Sequence, residues 1–358
     1  MPNPDRRTFL AASAGLLTAT TTVAGALRHA APIKVGQIGT RHGHASGKMA
    51  TFRKFPELFE VVGVVEPDSG QRSRVAKTSS YKGLRWMTQQ ELLGTSGLQA
   101  VAVETDIDEL LPAAEACIQA GVHVHLDKPA GTSLKDFRRI CAAADEKQLM
   151  IQMGYMFRGN AAFQFLFKAV RDGWLGDVFS VHCEMSKKVG DGVRPSLARY
   201  AGGSMFELGC HLIDAVVTLL GPPDQVTPFN RNTRPEHDNL MDNCLAVFEY
   251  PKATATIRSS MSEVDGGRRR QFVACGTKGS IVIRPLEPYK LSLTLESATG
   301  DYRKGTTIVE LPKSTGRYDG DFQHLAAVVR GEQAPEYSTK HDLAVQTAVL
   351  QASGMPIE

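Results

Sequence analysis

The chain has 358 residues, a formal net charge of +3 and six cysteines. Its acids and bases are interspersed without a long basic run, so neither a nucleic acid nor a membrane surface is indicated as a partner. Cys117, Cys141, Cys183, Cys210, Cys244 and Cys275 form no C-x-x-C pair and no metal-ligand spacing; they read as small core residues, which argues against a disulfide framework.

The N-terminus reads as an address. Asp5-Arg6-Arg7-Thr8-Phe9-Leu10 precedes a mildly apolar run rich in alanine, threonine and glycine, with Ala24-Gly25-Ala26 as a small-residue cleavage site. This is the pattern of a twin-arginine export signal, so residues 1–26 are set apart from the fold and a periplasmic destination is expected, free of the membrane after cleavage. The run is short and threonine-rich for a spanning helix, and nothing later approaches one. What remains, about 330 residues, is long enough for two domains with separate cores.

From Ile33 to Met153 short apolar strands alternate with helical segments. Strands are expected at Ile33–Ile38, Phe59–Val65, Gln99–Val103, His123–Leu126 and Met150–Met153, and helices around Asp108–Ala120 and Ser133–Glu146, with Ser133 as N-cap. Strand-helix repetition with short loops predicts an α/β fold with a parallel, doubly wound Rossmann sheet over residues 33–153. Beyond Gly154 the pattern changes. One helix at Ala162–Arg171 and another from Met205 to Leu220 interrupt strands at Val178–Met185, Asn243–Tyr250, Thr254–Ser260, Gln271–Cys275, Ser280–Ile283 and Lys290–Glu296. This predicts an α+β domain with a largely antiparallel open sheet over residues 154–358.

Four stretches carry chemistry. The loop after the first strand reads VGQIGTRHGHASGK. Gly39 fits the first glycine of a dinucleotide fingerprint, but Arg41 and His44 stand at the second and third positions, so the fingerprint is degenerate. Thr40, Arg41 and His42 complete the set expected to face a cofactor. Glu66 ends VVGVVEPD, 66 − 39 = 27 residues after Gly39, where an acid accepts ribose hydroxyls and favours NAD over NADP. The stretch GVHVHLDKPAG delivers Asp127 and Lys128 at the carboxyl end of a strand, where open α/β sheets bind ligands. In GGSMFELGCHLIDAVVTLLG, Glu207 and His211 are four apart and share a helix face, with Asp214 on the same side. No third ligand stands at metal spacing nearby, so no metal is expected.

These stretches, together with GYMFRGNAAF, GWLGDV and DNCLAVFEY, resemble in order and spacing the glucose-fructose oxidoreductase/inositol dehydrogenase (Gfo/Idh/MocA) family over Ile33–Ser353. The resemblance implies an NAD(P)-dependent enzyme of sugars and cyclitols, a homodimer or homotetramer assembled through the open face of the second sheet. It matches Lys128 to the lysine of the family's E-K-P motif, Glu207 to its aspartate and His211 to its catalytic histidine. Tyr155, Arg158 and Asn160 match the start of the substrate domain. Asp127 replaces the customary glutamate. The family's T-P-N-x-x-H segment is here Thr105-Asp106-Ile107-Asp108-Glu109-Leu110, which keeps Thr105 toward the cofactor and loses the proline and histidine.

The reaction expected is oxidation of a secondary alcohol, with His211 as base and Lys128 orienting the same oxygen, its pKa pushed down by burial. An exported protein has no obvious supply of fresh cofactor, so a tightly held NAD that oxidises and then re-reduces the sugar is the alternative. That cycle gives elimination, hydrolysis or epimerisation. A non-catalytic sugar-binding relative is a third reading, disfavoured by the presence of both Lys128 and His211.

Overall fold

Alternation of short apolar strands with amphipathic helices builds the first layer of the computed structural model, which describes residues 31–313 and 315–358. The export signal expected over residues 1–26 lies outside these. The elements run β1 (Ile33–Ile38), α1 (Ala45–Lys54), β2 (Phe59–Val65), α2 (Ser69–Val75), β3 (Trp86–Met87), α3 (Gln89–Leu93), β4 (Leu98–Val103), α4 (Ile107–Gln119), β5 (His123–Leu126), α5 (Leu134–Glu146) and β6 (Ile151–Met153). The strands pair in parallel in the order β3-β2-β1-β4-β5-β6. Chain order reverses between β1 and β4, which is where a doubly wound sheet opens its ligand crevice.

Local chemistry explains the helices. In α4, Ile107, Leu110, Leu111, Ala114, Cys117 and Ile118 recur at helical spacing and are buried, while Asp108 and Glu109 lie in the first turn, favourably placed for the helix dipole. Gly121, at φ +77°, then turns the chain into β5 through the left-handed region. Ser133 caps α5 as expected, its Oγ accepting from the Asp136 backbone N–H at 3.2 Å.

The second layer follows as α6 (Ala161–Arg171), β7 (Val178–Ser186), α7 (Arg194–Ala198), a π-helical turn (Met205–Gly209), α8 (Cys210–Leu220), β8 (Gln225–Arg231), β9 (Asn243–Glu249), β10 (Thr254–Ser260), β11 (Gln271–Gly276), β12 (Gly279–Ile283), β13 (Leu291–Leu295), β14 (Gly305–Val309), α9 (Asp319–Val329) and α10 (Thr339–Ala352). Its sheet runs β14-β13-β12-β11-β7-β10-β9-β8, antiparallel except for the parallel pair β7–β10. Burial alternates along β9 and β13, the mark of a sheet covered on one face. Both sheets belong to one compact unit, Pro32–Glu358, in which α10 packs on α5 and on α8. Among the described residues no helix is long and apolar enough to cross a membrane.

The expectation of one regular helix from Met205 to Leu220 is corrected. Its first turn is π-helical and carries Glu207, so the offset from Glu207 to His211 is set partly by i→i+5 winding and not by an α-helical face. The elements β3, β8, β14, α7, α9 and α10 were not foreseen.

Candidate active site

The loop between β1 and α1 is laid tightly on the end of β4. Gly39 has φ +84°, and a β-carbon there would come within 2.7 Å of the Thr105 backbone N and Cα. Only glycine fits that approach. Beyond it opens a cleft of about 830 Å³ at the ends of β1, β2 and β4, lined by Gly39, Arg41, Glu66, Asp68, Arg72 and Thr105 among others. The Arg41 guanidinium swings outward to Asp68 (2.5 Å) and Asp106 (3.5 Å).

Glu66 lies in this cleft but is already engaged. Its Oε2 accepts from the Thr40 backbone N–H at 3.1 Å and the Thr40 hydroxyl at 2.6 Å, and its Oε1 from the Asp68 N–H at 3.1 Å. Glu66 and Thr40 therefore brace the loop against β2, and the more open acid in the cleft is Asp68, whose side chain is 42% exposed.

The other side of the loop feeds a buried polar cluster. Asp127, at the end of β5, is fully buried, and its Oδ2 lies 2.7 Å from His42 Nδ1, 3.3 Å from His44 Nδ1 and 2.9 Å from Lys48 Nζ. Its Oδ1 accepts from the Lys128 backbone N–H at 2.7 Å. His42 and Asp127, expected to face the cofactor, thus face each other. Lys48 on α1 also reaches Glu104 Oε1 at 2.9 Å, and neither side chain has any exposure. Burial opposes the Lys48 ammonium, but Asp127 and Glu104 outweigh it and raise its pKa. Burial and the charge of Asp127 push the Glu104 carboxyl well above the carboxylate range. His44 is held down at about 4, mainly by burial. Sequence reasoning passed over His44 as a ligand, Lys48 and Glu104. A lysine at a helical position otherwise filled by Ala45, Met49 and Phe52, all buried, was the available signal.

Lys128 leaves the same strand end in the opposite direction. It is buried, donates from Nζ to the Glu207 backbone oxygen at 2.7 Å, and lies 3.5 Å from Glu207 Oε1. Burial works against its charge, yet Glu207, Cys210 and Asp127 prevail and raise its pKa. The expected depression is therefore reversed, because a carboxylate stands beside the ammonium. Burial would raise Glu207, but Lys128 and Lys187 bring it to about 2. His211 is kept well below the ordinary imidazole value, first by burial and then by the Lys128 charge, and its Nδ1 has no hydrogen-bond partner among the described residues. The Lys128, Glu207 and His211 side chains thus share one site, with His44 close by at a ring-centroid distance of 6.1 Å from His211.

The remaining residues expected to bind substrate have structural partners. The Arg158 Nε donates to Asp214 Oδ1 at 3.0 Å, and its Nη2 donates to Asp214 Oδ1 at 2.5 Å and Asp342 Oδ1 at 2.6 Å, all buried. Arg158 and Asp214 therefore lock the start of the second layer to α8 and α10. Asn160 caps α6, its Oδ1 accepting from the Ala162 N–H at 2.9 Å. Tyr155 is 1% exposed and packs edge-on to His211 at 6.1 Å, a wall behind the imidazole.

Two family models match consecutive stretches of the chain. One, described as an oxidoreductase family with an NAD-binding Rossmann fold, covers residues 33–155, and the GFO/IDH/MocA C-terminal domain covers residues 163–282. The chain belongs to the Gfo/Idh/MocA oxidoreductase family. It is similar to the D-xylose 1-dehydrogenase (NADP(+)) 2 of Haloferax volcanii, 23% identical over 297 residues spanning 81% of this chain and 87% of that one. It also resembles the scyllo-inositol 2-dehydrogenase (NADP(+)) of Bacillus subtilis, 26% identical over 190 residues, 51% of each protein. Among solved structures, an oxidoreductase from Agrobacterium radiobacter in complex with NAD+, L-tartaric acid and magnesium superposes with a TM-score of 0.75 at 17% identity, covering 89% of this chain and 96% of that one. For a Gfo/Idh/MocA protein the cleft at the β1/β4 switch point and the β-carbon-free approach at Gly39 fit a dinucleotide, although Arg41 stands where a glycine normally admits the pyrophosphate.

Proposed function

We propose that this protein oxidises a secondary hydroxyl of a sugar, glycoside or cyclitol, with NAD preferred to NADP. The observation that carries this is the meeting of Lys128, from the end of a Rossmann strand, with Glu207 and His211 from the second layer. A nicotinamide dinucleotide, held by the Gly39–Arg41 loop and the ends of β2 and β4, supplies the hydride acceptor when bound. The His211 imidazole, kept neutral by burial and the Lys128 charge, takes the hydroxyl proton. The Lys128 ammonium donates to the same oxygen and stabilises its developing charge, while Glu207 keeps that ammonium charged and in place. The test is a panel of polyols and glycosides with each cofactor, read by nicotinamide absorbance. No turnover of any sugar or cyclitol with either cofactor defeats this reading.

The preference for NAD rests on the acids of the cleft. An added 2′-phosphate would meet Glu66 and Asp68, although Arg41 and Arg72 line the same space. Calorimetric titration is expected to show NAD binding more tightly than NADP, and the gap to narrow in an Asp68→Ala variant. Equal affinities in the unaltered protein would remove the acids from that role.

A second reading is favoured by the paired imidazoles. His44 and His211 are both neutral at neutral pH, so the site holds one more base than simple oxidation uses. A retained NAD with transient oxidation and net elimination, hydrolysis or epimerisation makes use of both. Mass spectrometry of denatured protein separates the two readings, since stoichiometric NAD surviving turnover supports the second.

Export by the twin-arginine route and assembly as a homodimer or homotetramer belong to the same proposal. Exposed Phe179, Phe229 and Ile308 on strands of the second sheet are apolar area that an interface would cover. Replacing Arg6 and Arg7 with lysine is expected to leave the precursor in the cytoplasm; fractionation showing undiminished mature protein outside it would contradict the signal.

A further inference from the structure

The spacing of histidines and acids along the chain predicts no metal ligands, yet the fold gathers a set. His42 and His44 leave the β1–α1 loop two residues apart and meet Asp127 from β5; one ligand atom from each lies within 4.8 Å of the others. Three nitrogens crowd a single carboxylate oxygen, Asp127 Oδ2, and one of them, His44 Nδ1, is shared with Oδ1 at 3.3 Å. A cation coordinated jointly by the carboxylate and the two imidazoles would use these converging donors at once.

Charge accounting points the same way. Lys128 is balanced by Glu207, which leaves Lys48 alone against the two carboxyls of Glu104 and Asp127. With both ionised, the pocket around His42 and His44 carries one negative charge too many.

We propose that His42 Nδ1, His44 Nδ1 and the Asp127 carboxylate form a binding site for a divalent transition-metal ion of the zinc class. Two imidazoles and one carboxylate suit Zn²⁺, Co²⁺ or Mn²⁺, whereas Mg²⁺ and Ca²⁺ prefer oxygen donors. Three protein ligands leave a coordination position for a water or a substrate oxygen, as in catalytic and not structural sites. The His42 and His44 side chains retain 9% and 18% exposure, so the site is open to small molecules. Lys48, held between Asp127 and Glu104, then acts as an outer partner that fixes the ligating carboxylate. His211 stands beside His44, which places the ion next to the base of the proposed reaction.

The experiment uses the full chain, purified from metal-depleted medium and titrated with Co²⁺ and with Zn²⁺. One equivalent of Co²⁺ is expected to bind with visible d–d bands and to be displaced by Zn²⁺. His42→Ala and His44→Ala are each expected to lose more than the roughly 10- to 100-fold that an outer-shell partner costs. His44→Cys is expected to keep the ion and add a thiolate-to-cobalt charge-transfer band, which reads ligation at position 44 even where an alanine variant folds poorly. Absence of Co²⁺ binding by the unaltered chain, binding undiminished in both alanine variants, or a cysteine variant that binds without the new band overturns the site and leaves a hydrogen-bonded His-Asp-His group. NAD affinity measured on the same samples is a separate readout, so failure of the metal site and failure of the dehydrogenase reading are distinguishable.

Discussion

Replacing Lys128 with alanine is expected to lower kcat by about 100- to 1,000-fold while leaving the affinity for the dinucleotide nearly unchanged. The ammonium is buried against Glu207 and cannot be replaced by solvent. The same loss is expected for His211→Ala, whose neutral imidazole is the base. If both groups act on one oxygen, the double variant costs less than the product of the single losses, because removing either already dismantles the same transition state. The pH profile carries an independent check. His211 is held below the ordinary value of 6.5, so it is already neutral where a free imidazole would still be half protonated. Lys128 is raised above its ordinary 10.5 and stays charged. The kcat/KM profile should therefore be flat across roughly pH 6–8. An acid limb centred at 6.5, or near-native turnover by His211→Ala on the true substrate, would show that another group is the base.

Much of the Rossmann layer was legible because its signals are local. The strands are short, largely buried runs rich in apolar residues, and β1, β2 and β5 fall at the residues that pattern marks. The C-terminal half was read less completely, and the reasons are physical. The strand β8 contains Pro228 and is mostly exposed at a sheet edge, so it carries little alternation. Helix α10 buries Asp342 and Gln346 along with its apolar residues, which blurs its amphipathic stripe; those polar groups are paid for by Arg158 and by the backbone of Ala130 and Gly131. Long-range pairing of this kind leaves no trace in a local window.

The site shows the same division. Lys128 stands at a strand end and Glu207 and His211 lie close in sequence, so their proximity could be argued from topology. The π turn could not, and it decides how Glu207 meets Lys128. The family resemblance assigns Arg158 to the start of the substrate domain, and helical spacing puts Asp214 on the side of Glu207 and His211. The ion pair of Arg158 with Asp214, 56 residues apart in the chain, fastens the start of the second layer to α8. The cluster of His42, His44, Lys48, Glu104 and Asp127 draws on the β1–α1 loop, helix α1 and the ends of β4 and β5, and only the assembled sheet brings it together.

That cluster supplies the largest stability effect. Lys48→Met is expected to destabilise the protein by about 3–5 kcal/mol, because it leaves Glu104 and Asp127 buried with their shared ammonium gone. The loss should depend on pH in a definite direction. Without Lys48 the folded-state pKa of the two carboxyls rises above the unfolded value, so stability is retained in acid, where both are protonated, and falls as pH rises through the raised values. Urea unfolding at mildly acidic and at mildly alkaline pH is expected to show the larger deficit at the alkaline end. Glu104→Gln alone replaces a carboxyl already pushed toward its neutral form and should cost within about 1 kcal/mol. Introduced into Lys48→Met it should restore part of the loss, because one of the two unpaired charges is then gone. A Lys48→Met protein within about 1 kcal/mol of the parent at alkaline pH would mean that water reaches the cluster and the carboxyls never lose their hydration.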